Sequence, residues 1–525
     1  VYREVWGDHV DGYFHGCVVL RSGIWFRDWF QFERAQPGLC LALDMTVTSG
    51  CLSPRKAGIL DHAERIATDR VAWREKNSFF HHEDERYLQF LIPAGTRVLD
   101  IGCGVGDTLA SLAPSYGVGI DFCRKQIAIA RQRHPDLIFV DGDAEDPVTL
   151  EALQGPFDYI LVLDTIGSLE DCQKFIAQLH PLCTRDTRLV IGYFSHLWYP
   201  VLKFAEFVGL RMPHPEQNVL SPPDLRSLAR LADFDPVKWE QRVLLPVRMF
   251  GLGRLLNRFV SVLPGIRQLA LRHYLVARSS LKAREEFASA TVVVPARNER
   301  GNIEPAVQRI PDFCNDIEII FVEGHSQDGT FEEMERVKQA YPSKDIKVMR
   351  QPGKGKADAV FTAFDAARGD VLVILDADLT MPPEQIPKFA EALLSGKGEF
   401  INGSRLVYPM DDGAMRFLNL IANKIFSYLF SWLLNQRYTD TLCGTKVLRR
   451  SDYQRLKAGK AYFGDFDPFG DFDLIFGASK LNLKSVDLPI RYAARTYGET
   501  QISRFRHGWM LLKMVAFAFL KIKAI

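Results

Sequence analysis

In the stretch GDVLVILDADLTMPP, which begins at Gly369, apolar residues from Val371 to Leu375 run straight into Asp376, Ala377 and Asp378. Read as a buried strand, in which side chains two apart share a face, this run brings the Asp376 and Asp378 carboxylates to one spot at the strand's carboxyl end. Oxygen-only ligands of that kind suit Mg2+ or Mn2+. Two acids cannot enclose the ion, so positions remain for diphosphate oxygens, and a metal bridging a diphosphate stabilises it as a leaving group. A DxD pattern alone is more often a pair of turn or cap acids, so its neighbours decide. VVVPARNERGNI ends a strand in Pro295, Arg297, Asn298 and Glu299, a polar edge suited to a base and ribose. FVEGHSQDGT ends the next in Glu323, Asp328 and Gly329. QPGKGKADAV sets Lys354 and Lys356 among glycines just ahead of the DxD strand, where they can meet phosphates.

A second group of residues lies upstream. VLDIGCGVGDT places Asp100, Gly102, Cys103, Gly104 and Gly106 between a strand and a helix. Glycines there permit a tight turn and let a ligand approach the backbone at a helix N-terminus. The spacing is GxGxG rather than the dinucleotide GxGxxG. Asp121 ends the next strand, at about the distance expected of a ribose-binding carboxylate, and Asp143 ends the strand after that. Acids at successive strand ends, on the edge where such sheets bind ligands, form a constellation. Asp164, in LVLDTIG, ends a fourth strand. His196, beside aromatics in GYFSHLWYP, is a structural histidine or a base for a hydroxyl acceptor. HHEDE at His81 reads as a solvated helix start, because adjacent histidines cannot face one way on a helix.

The elements that must position these groups alternate. From Arg97, strands RVLDIG, YGVGIDF, LIFVDGD, FDYILVLD and TRLVIGYF are separated by helical stretches such as CRKQIAIARQRH, which implies a parallel sheet covered on both faces. LSPPDLRSLARLADF predicts a helix capped by Ser221 with Pro222 at its first position, and HYLVARSS a closing strand. After the linker SSLKAREEFASA the rhythm restarts with TVVVPA, IEIIFVEG, IKVMRQ, VLVILDAD and EFINGSR. The expected division is an extension at 1–52, a first α/β domain at 53–282, a second at 288–508 and an amphipathic helix at 509–525.

The residues of the first half resemble the S-adenosylmethionine-dependent methyltransferases with a Rossmann-like sheet, over roughly residues 75–280 and most closely in 97–146. The resemblance implies that the 102–106 loop, with Cys103 and Asp100, holds the methionine part of the cofactor. It also implies that Asp121 takes the ribose hydroxyls, that Asp143 and Ala144 lie beside the adenine, and that Asp164 faces cofactor or substrate. Methyl transfer from a sulfonium is an in-line displacement, so positioning supplies much of the rate.

The second half resembles the family 2 glycosyltransferases over 290–508, and more narrowly the dolichyl- or polyprenyl-phosphate mannosyl- and glucosyltransferases. INGSRL with Arg405, TDTLCGTKVLRR with Asp440, and PIRYAARTYGETQISRF carry this likeness together with the DxD. By resemblance, Pro295, Glu299 and Glu323 hold the nucleoside, and Arg297 belongs to the donor site. Lys354 and Ala377 belong to the donor site, Asp376 and Asp378 hold the metal, and Arg405 and Arg495 face phosphates. Glu323–Gly324 stands where the family usually has two aspartates, and Thr380 where some relatives have a further metal ligand. No QxxRW motif is present, which argues against a processive polysaccharide synthase. FGDFDPFGDFDLIF supplies Asp465, Asp467, Asp471 and Asp473, of which Asp473 sits nearest the family's acidic position. A hydroxyl acceptor calls for that carboxylate as base, whereas a lipid phosphate is already anionic and needs none.

Composition narrows the classes. The chain has 525 residues, 47% apolar and 25% charged, which suits a globular protein of two or three domains. A net charge of +1 gives no electrostatic case for nucleic acid. Nine cysteines without a CxxC pair argue against a disulfide scaffold and a structural zinc, and for a reducing cytosol. No secretory signal and no apolar run long enough to span a bilayer is evident. HGWMLLKMVAFAFLKIKAI, with Lys513, Lys521 and Lys523, suits a helix at a bilayer surface or ordinary core packing, and FLNLIANKIFSYLFSWLL a helix beside the acceptor site.

The expected fold is α/β in two domains, a Rossmann-like methyltransferase sheet followed by a GT-A-type nucleotide-sugar-binding domain. The expected protein is a bifunctional cytoplasmic enzyme on the membrane surface. It uses S-adenosylmethionine, Mg2+ or Mn2+, a nucleotide-sugar donor and a polyprenyl-phosphate or glycan acceptor. The alternatives are a glycosyltransferase with a cofactor-binding but non-catalytic first half, and a non-enzymatic membrane-associated scaffold.

Overall fold

The computed structural model describes residues 52–525 apart from 216, 288, 410–416, 465–469, 496 and 498–503. The expectations for residues 1–51, Asp465 and Asp467 lie outside the described residues.

The first half builds a sheet from β1 (Arg97–Ile101), β2 (Tyr116–Asp121), β3 (Ile138–Asp141), β4 (Phe157–Leu163), β5 (Cys183–Phe194), β6 (Phe234–Arg242) and β7 (Arg272–Ser279). Its order is β3-β2-β1-β4-β5-β7-β6. Strands β1 to β5 are parallel, as their apolar runs predict, but the sheet is mixed: β7 inserts between β5 and β6, antiparallel to both. HYLVARSS is therefore an interior strand. The edge is β6, whose Pro236 coincides with a register shift and whose Asp235, Lys238, Glu240 and Arg242 hide its strand character. Ser221 caps helix Pro222–Leu231 as expected and forms a capping box with Asp224.

The second half builds β8 (Ser289–Ala296), β9 (Asp316–Glu323), β10 (Asp345–Arg350), β11 (Val371–Ile374), β12 (Phe400–Ser404), β13 (Lys446–Arg449) and β14 (Ser485–Pro489), in the order β10-β9-β8-β11-β13-β12-β14. Here β13 is the reversed strand, antiparallel to β11 and β12. In both sheets the strand order reverses beside the first strand, between β1 and β4 and between β8 and β11. Such switch points open a crevice at the carboxyl ends of the strands. The Gly102 loop and residue 164 border the first crevice, and Pro295–Glu299 and the DxD border the second.

Both sheets lie within one compact unit. A fully buried ion pair joins them. The Arg188 guanidinium of β5 donates to both Glu399 oxygens, at 2.9 and 2.8 Å, and to the Asn482 carbonyl at 2.8 Å. The Lys484 amide also donates to Glu399, at 2.8 Å, and Arg278 lies 3.7 Å away. Burial works to raise the Glu399 pKa, but Arg188 and Arg278 outweigh it and hold the carboxyl at about 2.

The C-terminal segment is a second joint. Helix Arg504–Ala518 and the turn Phe519–Lys523 place Leu511, Met514, Ala518 and Ile522 in one apolar core with Phe426, Phe430 and Leu433. Lys523 is buried and pairs with Glu240 of β6 at 3.1 Å, and Arg242 donates to the Lys523 carbonyl, which covers the sheet edge. The bilayer-surface reading of 509–525 is therefore corrected for much of that segment. Its apolar stripe meets helix Phe417–Leu434, and Trp509, Leu512 and Leu520 remain exposed. Among the described residues no helix is long and apolar enough to cross a membrane.

Glu399→Ala leaves Arg188 buried without its counter-ion and is expected to cost about 3–5 kcal/mol. Urea unfolding followed by tryptophan fluorescence checks this. The folded-state pKa of Glu399 is depressed, so its contribution is complete above the ordinary value of 4.5 and fades as pH falls towards about 2. The difference between wild type and Glu399→Ala should shrink over that interval.

Candidate active sites

Gly102 leaves β1 with φ of 77°, a conformation that favours glycine. A β-carbon there would lie 1.9 Å from Thr165 Oγ1, so the turn fits only with the side chain absent. Asp121, at the end of β2, accepts the Gly104 and Cys123 amides, each at 2.9 Å, and so ties the glycine turn to the strand end. Beside them lies a cleft of about 390 Å³. Gly102, Asp121, Asp143 and Ala144 line it. Asp100, Cys103 and Gly104, expected with them, are not part of its lining. Asp100 is buried, and burial followed by the Asp121 charge pushes it to about 7.

Asp164, expected to face cofactor or substrate, stands outside the smaller cleft. Its φ of 61° turns it to the adjoining cleft of about 640 Å³, where its carboxylate binds Arg272. The 164–169 segment is the wall shared by the two cavities, since Asp164, Ile166 and Gly167 line one and Thr165, Ser168 and Leu169 the other.

Sequence reasoning missed two basic residues of this half. Lys56, in helix Pro54–Ile66, reaches into the smaller cleft and pairs with Asp143 and, at 2.8 Å, with Glu145. Arg70, in helix Asp69–Lys76, places Nε 3.2 Å from where a Gly104 β-carbon would stand. Both lie upstream of the glycine motif and have no spacing rule that ties them to it.

In the second half, β11 ends at Ile374, and a turn closes at once: the Leu379 amide donates to the Asp376 carbonyl at 3.1 Å, with Leu379 at φ of 53°. Asp376 and Asp378 therefore follow the strand rather than alternate along it. Each carries a cation. Lys356 Nζ lies 2.6 Å from Asp376, and Arg495 Nη2 lies 2.6 Å from Asp378. Burial acts to raise the Asp376 pKa, but Lys356, with Lys446 and Arg405 beyond it, outweighs that and holds the carboxyl below its ordinary range. Arg495 also reaches Glu299 at 3.3 Å, which joins the end of β8 to the DxD turn. Glu299 is buried, and burial, against the Asn302 and Arg495 contacts, pushes it to about 7.

Pro295 lies in β8, and Arg297 is exposed just beyond it. Glu323 is buried at the end of β9 and accepts the Ser326 amide, and Ala377 is buried in the DxD turn. Three expectations change. Lys354 is exposed on its loop, and Lys356, the first residue of helix Lys356–Ala366, makes the contact to the DxD. Arg405 is committed to Asp440, with bonds of 2.7 and 2.9 Å, and does not present a spare guanidinium to phosphates. Asp473 lies 3.9 Å from Lys460, whereas Asp471 lies 3.5 Å from the buried Lys446 on the DxD side. Residues two apart on a helix point roughly 200° apart, so only one of these acids can face the site.

The donor set at the DxD is oxygen-only, which fits a hard divalent cation. Among the described residues no group of three or more His, Cys, Asp or Glu side chains gathers to hold a metal, so a cation there needs further ligands from substrate or water. Gly444 leaves the space: a β-carbon there would lie 2.0 Å from Asp376 Oδ2 and 2.3 Å from Lys356 Nζ.

Two family models match separate stretches of the chain. Residues 291–456 match the model of the family described as Glycosyl transferase family 2, and residues 73–238 that of a Methyltransferase domain. The chain carries both domains. It is 41% identical over 119 residues to a dolichol-phosphate mannosyltransferase of Pyrococcus furiosus, covering 22% of this chain and 33% of that one. It is 32% identical over 110 residues to an undecaprenyl-phosphate 4-deoxy-4-formamido-L-arabinose transferase of Aeromonas hydrophila, covering 20% and 34%. The chain thus spans about a third of the length of these two curated relatives. A crystal structure of a SAM-dependent methyltransferase, possible histamine N-methyltransferase, from Thermotoga maritima aligns with a TM-score of 0.33 and 18% identity, over 42% of this chain and 99% of that one.

Gly444→Ala is expected to displace the Asp376 and Lys356 side-chain ends while leaving the backbone intact. Calorimetry should show Mn2+-dependent nucleoside diphosphate binding weakened by about tenfold or more, a loss of roughly 1.4 kcal/mol. The melting temperature should stay within a few degrees of wild type.

Proposed function

We propose that the chain is a bifunctional transferase. Its second half moves a sugar from a nucleotide-sugar donor to a polyprenyl-phosphate or glycan acceptor, with inversion and with a divalent metal. Its first half transfers a methyl group from S-adenosylmethionine. The observation that carries the reading is the DxD turn at the β8/β11 switch point, with Asp376 and Asp378 each held by a cation and Gly444 keeping the space beside Asp376 open.

Asp376 and Asp378 would hold Mg2+ or Mn2+, which supplies charge stabilisation to the departing diphosphate. Lys356 and Arg495, freed from the carboxylates, would turn to the phosphates. Pro295, Arg297, Glu299 and Glu323 stand at the ends of β8 and β9, where a nucleoside fits beside them. Asp471 is the base for a hydroxyl acceptor, since it faces Lys446 and the DxD. A lipid phosphate needs no base, and the named activities of the Pyrococcus and Aeromonas relatives favour that acceptor. Ile421, Ile425 and Tyr428 are exposed along one side of helix Phe417–Leu434 beside Lys424, a face suited to a membrane surface.

In the first half, Asp121 would take ribose hydroxyls, and Asp143 and Ala144 would lie beside the adenine. Arg70, poised over Gly104, would meet the cofactor's carboxylate. Lys56 would have to release Asp143 as the adenine enters. Bound there, S-adenosylmethionine supplies an electrophilic methyl group on a good neutral leaving group, and the chain's task is orientation.

Purified protein with Mn2+, polyprenyl phosphate and a panel of labelled nucleotide sugars tests the glycosyl reading. Label should enter the organic phase with one donor and fall by about 100-fold or more in Asp378→Ala, as loss of several kcal/mol of charge stabilisation requires. Label that is insensitive to Asp378 would contradict the metal site. Donor hydrolysis that needs Asp378 but yields no lipid label would assign a hydroxyl acceptor and make Asp471 the next residue to vary.

A further inference from the structure

Between β6 and β7 the chain makes a projection, VRMFGLGRL at Val247–Leu255, that lines neither cleft. Val247, Met249, Leu252 and Leu255 are exposed, and Phe250 is fully so. Single exposed apolar residues are ordinary on a protein surface, but five among nine consecutive residues make a patch. The tip is built rather than frayed. Met249, Phe250 and Gly251 have φ of 41°, 51° and 96°, and two successive non-glycine residues hold that left-handed conformation only where the surroundings impose it. The Gly251 and Gly253 amides both donate to the Arg248 carbonyl, at 3.0 and 3.2 Å. A β-carbon at Gly253 would lie 2.0 Å from the Val247 carbonyl oxygen, so the neck closes tightly. Below it, buried Asn257 accepts the Leu245 amide and donates to the Leu245 carbonyl, each at 2.9 Å.

The projection is also basic. From Glu240 to Glu285 the sequence has no other Asp or Glu, and every residue between them is described. Arg248, Arg254 and Arg258 are exposed in that stretch. Arg254 lies 4.0 Å from Glu83, which is already paired with Arg86 at 2.8 Å, and Arg258 donates to the neutral Ala524 carbonyl at 2.8 Å. Among the described residues no other carboxylate pairs with these three arginines. The stem is continuous with the C-terminal joint. Phe259 stands 6.3 Å from Phe519, and Phe519 stands 5.8 Å from Trp432 of helix Phe417–Leu434. Next to Phe519, Leu520 is exposed and is followed by Lys521.

We infer that the Val247–Leu255 projection docks the first half on an anionic lipid surface, with Phe250 and its apolar neighbours in the headgroup region and Arg248, Arg254 and Arg258 against lipid phosphates. An apolar tip flanked by arginines matches the boundary between acyl chains and anionic headgroups, where apolar burial and charge attraction act together. A protein partner fits less well, since nine residues are well short of the roughly 20–30 a side that a stable protein interface uses. The braced neck keeps the tip presented, so docking does not have to order the loop first. The inference does not depend on the transferase reading. It adds a contact on the first half to the face of Ile421, Ile425 and Tyr428 on the second.

The test is sedimentation of the full chain, without donor or cofactor, with vesicles of phosphatidylglycerol and phosphatidylcholine in equal parts and with vesicles of phosphatidylcholine alone. The chain should bind the anionic vesicles more tightly, and added salt should weaken that binding. Phe250→Ser should reduce vesicle affinity by about tenfold or more through lost apolar burial. The double variant Arg248→Ala/Arg254→Ala should reduce it by about tenfold or more through lost charge. All of these side chains face solvent, so the melting temperature of each variant should match wild type. Tyr428→Ser serves as the comparison for the other half. Binding lost in Tyr428→Ser but unchanged in Phe250→Ser would put the membrane contact on helix Phe417–Leu434 and overturn this inference while leaving that one standing. Absence of vesicle binding by the wild type would overturn it, as would a dimer, seen by light scattering, that Phe250→Ser dissociates. Sugar transfer to a short polyprenyl phosphate in detergent is scored separately, so failure of the transferase reading is distinguishable from failure of the docking surface.

Discussion

A carboxylate withdrawn from water needs a cation or several N–H donors beside it, and that requirement organises both halves of this chain. Asp376 has Lys356, Asp378 has Arg495, Asp143 has Lys56, Asp164 has Arg272 and Glu399 has Arg188. Asp143 and Asp164 line clefts of the first half, and Asp376 and Asp378 follow β11 at the carboxyl end of its sheet. The fifth is sealed between the sheets and can only hold them together. The same chemistry thus gives a joint where it is buried and a candidate site where it opens to solvent.

The sheets explain why the open pairs lie where they do. Parallel strands deliver their carboxyl ends to one edge, and the reversal of strand order at β1/β4 and β8/β11 leaves a crevice there. The C-terminal segment, seated on β6 and on helix Phe417–Leu434, ties that edge strand to the second half. Movement of one site relative to the other would have to break Arg188–Glu399 and strip Lys523 from Glu240.

Much of the fold was legible in the sequence because the parallel strands are short apolar runs that end in polar residues. RVLDIG and VLVILDAD each contain a strand and the candidate site residues that end or follow it. The reversed strands β7 and β13 and the edge β6 were hidden for different reasons. HYLVARSS reads as a strand but not as an antiparallel one, KVLR is only four residues long, and FDPVKWEQR has a proline and a charge on much of its length. Local placement differed where the period of the chain changes. Asp376 and Asp378 belong to a turn after the strand, and Asp471 and Asp473 lie on a helix that sends them apart. Arg405 carries the right charge, but Asp440 consumes it, which only tertiary packing reveals. Lys56 and Arg70 belong to no motif and enter the first site through the fold alone.

The most direct measurement of the DxD site is electron paramagnetic resonance of Mn2+ mixed with the full chain, with and without UDP or GDP. Two carboxylates are an incomplete shell, so the free-ion signal should fall strongly only when a nucleoside diphosphate supplies the remaining oxygens. Asp376→Asn should abolish that loss of signal while leaving the fold intact. Equal binding by wild type and Asp376→Asn would contradict a metal-dependent sugar transferase built on this turn.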